Sequence, residues 1–285
     1  MVTNALIADR DDFVAAHPEQ HISLRGRRWG VTDLDGPDET LVLLPGTLGR
    51  GDVFWRVMRA LKGRVRILAC TYPATHDLAG WSDDLARLLD QRGVAQAHVL
   101  GSSLGGYFAQ FFAGAHGDRC SSLIAANTLS SVDGIRTIRP YSLDLAKVPI
   151  AELRAGFAAG LTGWADAHPD QAELVDLLLG EANGRISARH LRARLLALKT
   201  APAIPAIALP REQITVIEAA DDPLIAPPMR DTVRSKLDPA ITFRFSSGGH
   251  FPYVARADSY AAVLESWLGL AGPISNLAVK DVQIL

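Results

Sequence analysis

The octapeptide Val99-Leu100-Gly101-Ser102-Ser103-Leu104-Gly105-Gly106 constrains this chain more than any other segment: it carries a G-x-S-x-G pattern that follows a short apolar run and opens an apolar, helix-compatible stretch. A serine at the tip of a sharp strand-to-helix turn takes unusual backbone angles, and side chains at Gly101 and Gly105 would collide with neighbouring backbone. Ser103 is therefore a candidate nucleophile. A helix beginning at Leu104 would also aim its unbonded N–H groups and the positive end of its dipole at the place where an oxyanion forms.

The flanking pattern suits such a turn. Residues 5–18 read as a surface helix, and 21–34 hold one or two extended segments before the turn Asp35-Gly36-Pro37-Asp38. Apolar runs at Leu41–Leu44, Val65–Ala69, His98–Leu100 and Leu123–Asn127 then alternate with helical spacing at Asp52–Leu61, Trp81–Leu89 and Tyr107–Ala115. Strands alternating with helices imply crossover connections and a parallel sheet covered on both faces. Ligands in such sheets bind outside the carboxyl ends of the strands, where Ser103 falls.

Between about Ser130 and Pro210 only helical patterns occur, at Ile150–Gly160, Ala172–Leu179 and Ala188–Leu198. Strand signals return at Ile214–Glu218 and Ile241–Ser246, with a short helix around Met229–Lys236 between them, and a last helix at Tyr260–Leu268 precedes the tail Gly272–Leu285. An all-helical block between two strands of one sheet is expected to pack over the strand ends as a lid. The expected organisation is thus a core of 1–130 and 210–285 carrying a helical cap of 131–209.

Length and charge narrow the function classes. With 285 residues, 48% of them apolar, the chain can bury a large core as one domain with an insertion. A net charge of -2, from 29 basic and 31 acidic residues, gives no electrostatic reason to expect nucleic acid as a partner. The N-terminal segment turns acidic too early for a signal peptide, and no apolar run is long enough to insert in a membrane. Cys70 and Cys120, fifty positions apart and outside any metal-ligand spacing, read as buried thiols in a reducing compartment, so the expected location is cytoplasmic. Neither a metal nor a cofactor is expected, and oligomeric state is not legible.

Serine needs a base, and the base needs an orienting acid. His250 follows the strand Ile241–Ser246 and the glycine pair Gly248-Gly249, which would let its loop reach back across the sheet; the other seven histidines lie in helices or loops with polar neighbours or, for His98, at the start of a strand. Asp221 and Asp222 follow the strand Ile214–Glu218, and the residues alone leave either one as the acid and the other as a turn residue. The backbone N–H groups of Leu104 and of Thr47, in the loop Pro45-Gly46-Thr47-Leu48-Gly49, are candidate oxyanion donors. Gly46, Gly49 and Gly51 do not have the spacing of a phosphate-binding loop.

Taken together, residues 20 to 270 resemble the α/β-hydrolase superfamily, in which the chain order is also Ser, Asp, His. The segments Gly51-Asp52-Val53-Phe54-Trp55-Arg56, Gly101 to Gln110 and Gly248-Gly249-His250-Phe251-Pro252-Tyr253 are similar to its maspardin-like branch. That branch has asparagine at the place of His250 and no aspartate at the place of Asp222; this chain has both residues. The resemblance implies an α/β-hydrolase fold, with a mostly parallel central sheet flanked by helices and a helical lid insertion. It also selects Asp222 as the acid, because Asp222-Pro223-Leu224-Ile225 resembles the superfamily's acid turn. The implied activity is serine hydrolysis of a carboxylic ester or related acyl compound, with lactone, thioester, amide and carbon–carbon substrates open. Haloalkane dehalogenases and the usual epoxide hydrolases have aspartate where Ser103 stands. Leu48, Tyr72, Phe251 and Tyr253 are expected to line a pocket for a small, partly apolar acyl or aryl substrate. The alternative is a non-catalytic, maspardin-like binding or adaptor protein.

Overall fold

The structure, a computed structural model, describes residues 4–37, 39–272 and 279–285. Met1 to Thr3, the last residue of the expected turn at 35–38 and part of the expected tail lie outside that range. Helix α1 (Ala5–Ala16) is followed by β1 (Gln20–Leu24), β2 (Arg27–Leu34), β3 (Thr40–Leu44), α2 (Trp55–Leu61), β4 (Arg66–Thr71), α3 (Leu78–Gln91), β5 (Ala97–Ser102), α4 (Leu104–Ala115) and β6 (Cys120–Ala126). Then come α5 (Ile150–Ala167), α6 (Ala172–Gly180), α7 (Ala188–Lys199), β7 (Ile214–Ala219), α8 (Pro227–Leu237), β8 (Ile241–Phe245), α9 (Pro252–Ala255), α10 (Ala257–Trp267) and β9 (Val282–Ile284).

Among the described residues, nine strands form one sheet in the order β1-β2-β4-β3-β5-β6-β7-β8-β9. From β4 to β8 every pairing is parallel, and the pairings β1·β2, β2·β4 and β8·β9 at the two edges are antiparallel. The inner strands are apolar on both sides, as a sheet covered on both faces requires. Along β3, Val42 and Leu44 enter one apolar cluster while Leu41 and Leu43 enter the other, and β5 splits Val99 from Leu100 in the same way. A third, smaller cluster joins Leu145, Val148, Leu153, Ala182, Ile186, Leu191 and Leu195 to Leu48 of the loop after β3. The helical segment between β6 and β7 thus has apolar packing of its own, while Ala197 and Leu198 join one sheet-face cluster and Leu174, Leu177 and Leu178 join the other.

Register decides where the loops emerge. Leu44 pairs with Gly101, Ser102 with Ala126, Ala126 with Ile217, and Ala219 with Phe245. The loops after β3, β5, β6, β7 and β8 therefore leave the sheet at one edge and at nearly one level. The strand order reverses between β3 and β5, since β4 follows β3 on one side and β5 on the other. A crevice opens at such a switch point.

Candidate active site

Ser103 sits at this switch point with φ 59° and ψ −120°, a region that side-chain-bearing residues avoid and that costs of order 1–3 kcal/mol. Three glycines make the turn possible. A Cβ at Gly101 would overlap the Gly105 carbonyl, one at Gly105 would overlap the Leu44 carbonyl, and one at Gly106 would strike the Thr128 side chain. The hydroxyl of Thr128 donates to the Ser103 carbonyl at 2.7 Å, and the Ser103 N–H donates to the Ala126 carbonyl at 3.0 Å. Helix α4 starts at the next residue, so the Leu104 N–H is one of the first-turn donors without an acceptor inside the helix. The loop Pro45 to Gly49 comes in from β3: a Cβ at Gly46 would lie 3.1 Å from the Ser103 Cβ and 3.6 Å from its Oγ. Thr47, next in that loop, lines the same cavity as Ser103.

His250 is the buried histidine among the eight, 6% exposed. Its Nδ1 lies 2.9 and 3.0 Å from the two carboxylate oxygens of Asp222. An ionised carboxylate only accepts, so Nδ1 carries the proton and the neutral ring keeps its lone pair on Nε2. Phe251 packs edge-on against the imidazole, with ring centroids 5.2 Å apart. The loop needs both glycines, with φ 127° at Gly248 and 58° at Gly249.

The two adjacent aspartates divide the work. Asp222 meets three donors besides the imidazole: its Oδ1 accepts the N–H of Leu224 at 2.8 Å and of Ile225 at 3.1 Å, and its Oδ2 accepts the side-chain amide of Asn127 at 2.9 Å. Burial alone would raise the Asp222 carboxyl, but His250, Asn127 and the Leu224 N–H outweigh it and hold the pKa below the usual carboxylate value. Asp221 faces the histidine loop instead and accepts the N–H of Gly248 at 3.1 Å and of Gly249 at 2.9 Å. Asn127 was not among the sequence candidates. It sits just past β6 with φ 42° and is 2% exposed, and its amide also reaches the Gly249 carbonyl at 3.4 Å. Its one local signal is that asparagine tolerates a left-handed backbone at a strand end.

Ser103 and His250 open onto one cavity of about 710 Å³. Its walls combine Leu48, Phe251 and Tyr253 from the loops after β3 and β8 with Leu143, Phe157, Leu161, Trp164, Leu174 and Leu178 from the helical segment. Among the described residues, the charged side chains on the wall are Arg139 and Glu152, an exposed pair 3.6 Å apart. Ile138 and Leu224, 58% and 62% exposed, leave the mouth apolar. Tyr72 departs from its expected place. It is 1% exposed, stacks on Trp81 at 4.7 Å, and donates its hydroxyl to the Pro45 carbonyl at 2.7 Å; it supports the loop after β3 from the core and is not part of the cavity wall. Tyr72 directly follows β4, which is buried from Ile67 to Thr71, and this draws the ring inward. Among the described residues, no group of three or more His, Cys, Asp or Glu side chains is arranged to hold a metal ion, and no helix is long and apolar enough to cross a membrane.

Known proteins share this framework. Human maspardin is 26% identical over 223 residues, covering 76% of this chain and 70% of maspardin. A putative carbamate hydrolase, RutD, of Klebsiella pneumoniae is 25% identical over 274 residues, covering 87% of this chain and 98% of the relative. The solved structure of a hydrolase from Pseudomonas aeruginosa superposes with a TM-score of 0.73 at 21% identity, over 88% of this chain and 98% of that one. The model of the alpha/beta hydrolase family matches residues 41–263. The chain belongs to the alpha/beta hydrolase family.

Proposed function

We propose that the chain is a serine hydrolase that cleaves an uncharged, partly apolar carboxylic ester or a related acyl compound through an acyl-enzyme. In this reading Ser103 Oγ attacks the substrate carbonyl, Nε2 of His250 takes the hydroxyl proton and later returns it to the leaving group, and Asp222 keeps the other ring nitrogen protonated. The N–H groups of Thr47 and Leu104 bind the oxyanion. A water then enters by the same route; as His250 takes its proton the oxygen attacks the acyl carbon, the bond to Ser103 Oγ breaks with return of that proton to the serine, and the acid product leaves.

The observation that carries the reading is the buried Asp222–His250 pair, 2.9 Å from Oδ2 to Nδ1, opening onto the cavity that Ser103 lines. The strained angles of Ser103 add support, since a simple binding pocket has no use for a serine held at a cost. Two relatives carry hydrolase names, a putative carbamate hydrolase and a hydrolase of known structure, and a carbamate is an acyl compound to which the same chemistry applies. We extend the reading to residues 131–209 as a cap that sets substrate shape, because its side chains form much of the cavity wall. An apolar mouth and a wall nearly free of charge favour neutral substrates. Both cysteines are free and buried, which fits a reducing compartment such as the cytoplasm.

The test is a panel of p-nitrophenyl esters of increasing acyl length, together with labelling by a fluorophosphonate probe. Turnover of at least one short or medium-chain ester and an adduct whose mass maps to Ser103 are expected. A folded wild-type protein that is inert across the panel and unlabelled at Ser103 overturns the hydrolase reading and favours a binding protein.

A further inference from the structure

Arg194, on α7, is a charge placed where a protein can least accommodate one. It is 1% exposed, and among the described residues it has no carboxylate partner. The same helical segment shows the ordinary arrangement nearby, where Arg185 meets Asp52 at 2.6 Å and also pairs with Glu181. Taking a guanidinium out of water without a counter-charge is strongly unfavourable. Burial accordingly pushes the Arg194 pKa down to about 10, in the same direction as Arg50 and against Tyr72, Glu181 and Glu19; the group still carries its charge at neutral pH.

What Arg194 does touch is the loop beside Ser103. Its Nη1 donates to the Thr47 carbonyl at 3.1 Å and to the Gly49 carbonyl, and the guanidinium carbon lies 5.6 Å from the centre of the Tyr72 ring. Tyr72 in turn holds the Pro45 carbonyl at 2.7 Å, and the Gly49 N–H closes the turn on the Gly46 carbonyl at 3.2 Å. Every carbonyl of Pro45, Gly46, Thr47 and Gly49 thus has a donor. In a planar trans peptide the N–H points opposite the carbonyl of the preceding residue, so the Thr47 N–H is directed by the Gly46 carbonyl that the Gly49 N–H holds, and Arg194 fixes the next peptide plane and the one that closes this turn through the Thr47 and Gly49 carbonyls.

We propose that Arg194 is a positioning residue for the hydrolytic site: it locks the 45–49 loop with the Thr47 N–H aimed beside Ser103, and its unpaired charge strengthens that N–H as an oxyanion donor. The proposal rests on the hydrolase reading above. It also gives the inserted helices a role in bond breaking besides substrate shape, because the group that orders the loop is carried by α7. Preorganised donors and fixed charges act on negative charge as it develops and have little hold on a neutral ground-state ester. The predicted signature is therefore a fall in kcat at nearly constant KM.

The experiment compares wild type, Arg194→Lys and Arg194→Met on the best ester of the panel, at a temperature where circular dichroism shows each to be folded, and adds inhibition by an alkyl boronic acid, which binds serine hydrolases as a tetrahedral anion. Removing one direct oxyanion donor costs about 10²- to 10³-fold. Arg194→Met, acting through the loop, should lose on the order of 10- to 100-fold in kcat, with KM within about threefold and boronate affinity weakened in step. Arg194→Lys, which keeps the charge but not the fork, should fall between the two. Equal kcat in all three proteins overturns the proposal, as does an effect confined to KM. If Arg194→Met does not fold, Arg194→Lys decides alone: a reduced kcat with weaker boronate binding supports the proposal, and wild-type values for both overturn it. A wild-type protein that hydrolyses nothing overturns the hydrolase reading and this proposal with it, whereas an active wild type matched by its variants overturns this proposal alone.

Discussion

Asp221 and Asp222 are neighbours in sequence and grip the histidine loop at different points: Asp222 holds the imidazole of His250 at 2.9 Å, and Asp221 holds the backbone N–H groups of Gly248 and Gly249. One orients a ring and the other fixes the strand of chain that delivers it. Both are acceptors facing donors, which is why a sequence reading could name the pair and not separate its members by spacing.

The first prediction follows from that division. Every partner of the Asp222 carboxylate is an N–H, so an amide in its place must turn a donor toward a donor and also favours the wrong imidazole tautomer. Asp222→Asn should lower kcat by about 10^4-fold. Asp221→Asn keeps one oxygen to accept from the glycine pair and should cost about tenfold, accompanied by a lower Tm. Steady-state kinetics on the same ester with a thermal melt of each variant checks this, and reversed losses would assign the acid to Asp221.

A second prediction concerns acid stability. The Asp222 pKa is held below its ordinary 3.8 in the folded protein, so the folded state binds the proton less readily than the unfolded chain does. That preference stabilises the fold at pH above the ordinary value and is lost as pH falls through the folded pKa. Wild type should therefore exceed Asp222→Asn in stability at pH 6 to 7, and the gap should narrow as pH drops below about 4. Urea melts at a series of pH values measure it. A gap that stays constant down to pH 3 would mean that the carboxylate contributes no such linkage.

The elements most legible in the sequence are those whose residues answer to their immediate neighbours. Leu41–Leu44 and Val99–Leu100 read as buried strands because both faces are apolar, and the glycines around Ser103 are required by contacts within a few residues. The strand Val282–Ile284 was not legible: it is three residues long, partly exposed and paired only at the sheet edge, so it carries neither an apolar run nor an alternation. Helix α5 runs to Ala167, past its expected end at Gly160, because a glycine inside a helix weakens it without ending it. Asn127 and Arg194 escaped for another reason. Their partners lie 95 and 147 positions away, and a contact created only by folding leaves no local pattern. Tyr72 shows the opposite error, since an aromatic at a strand end looks the same whether it faces a cavity or the core.

The third prediction addresses the helical segment. Leu143, Phe157 and Leu161 line the cavity, and a methylene gained or lost in an apolar pocket is worth roughly 1–3 kcal/mol. Replacing each by alanine should shift the preferred acyl length upward by a few carbons and change the ratio of long to short ester turnover by about 10-fold or more. Labelling of Ser103 by a small fluorophosphonate should stay within about twofold of wild type. Equal losses on every ester and in labelling would instead mark these residues as structural.

The last prediction asks whether Ser103 and His250 act as one unit. A nucleophile without its base, or a base without its nucleophile, loses nearly all that the pair achieves, so Ser103→Ala and His250→Ala should each cut kcat by about 10^4- to 10^6-fold. The double variant should lose little more than either alone, because the machinery is already broken. Independent contributions would multiply and drive the double variant far below both. The same three proteins separate turnover from binding: Ser103→Ala removes one hydroxyl at a turn and should leave the affinity of a non-hydrolysable substrate analogue within ~1 kcal/mol, measured by calorimetry. Single variants that keep wild-type turnover would show that the esterase signal comes from elsewhere, and multiplicative losses would show that the two residues do not share a proton.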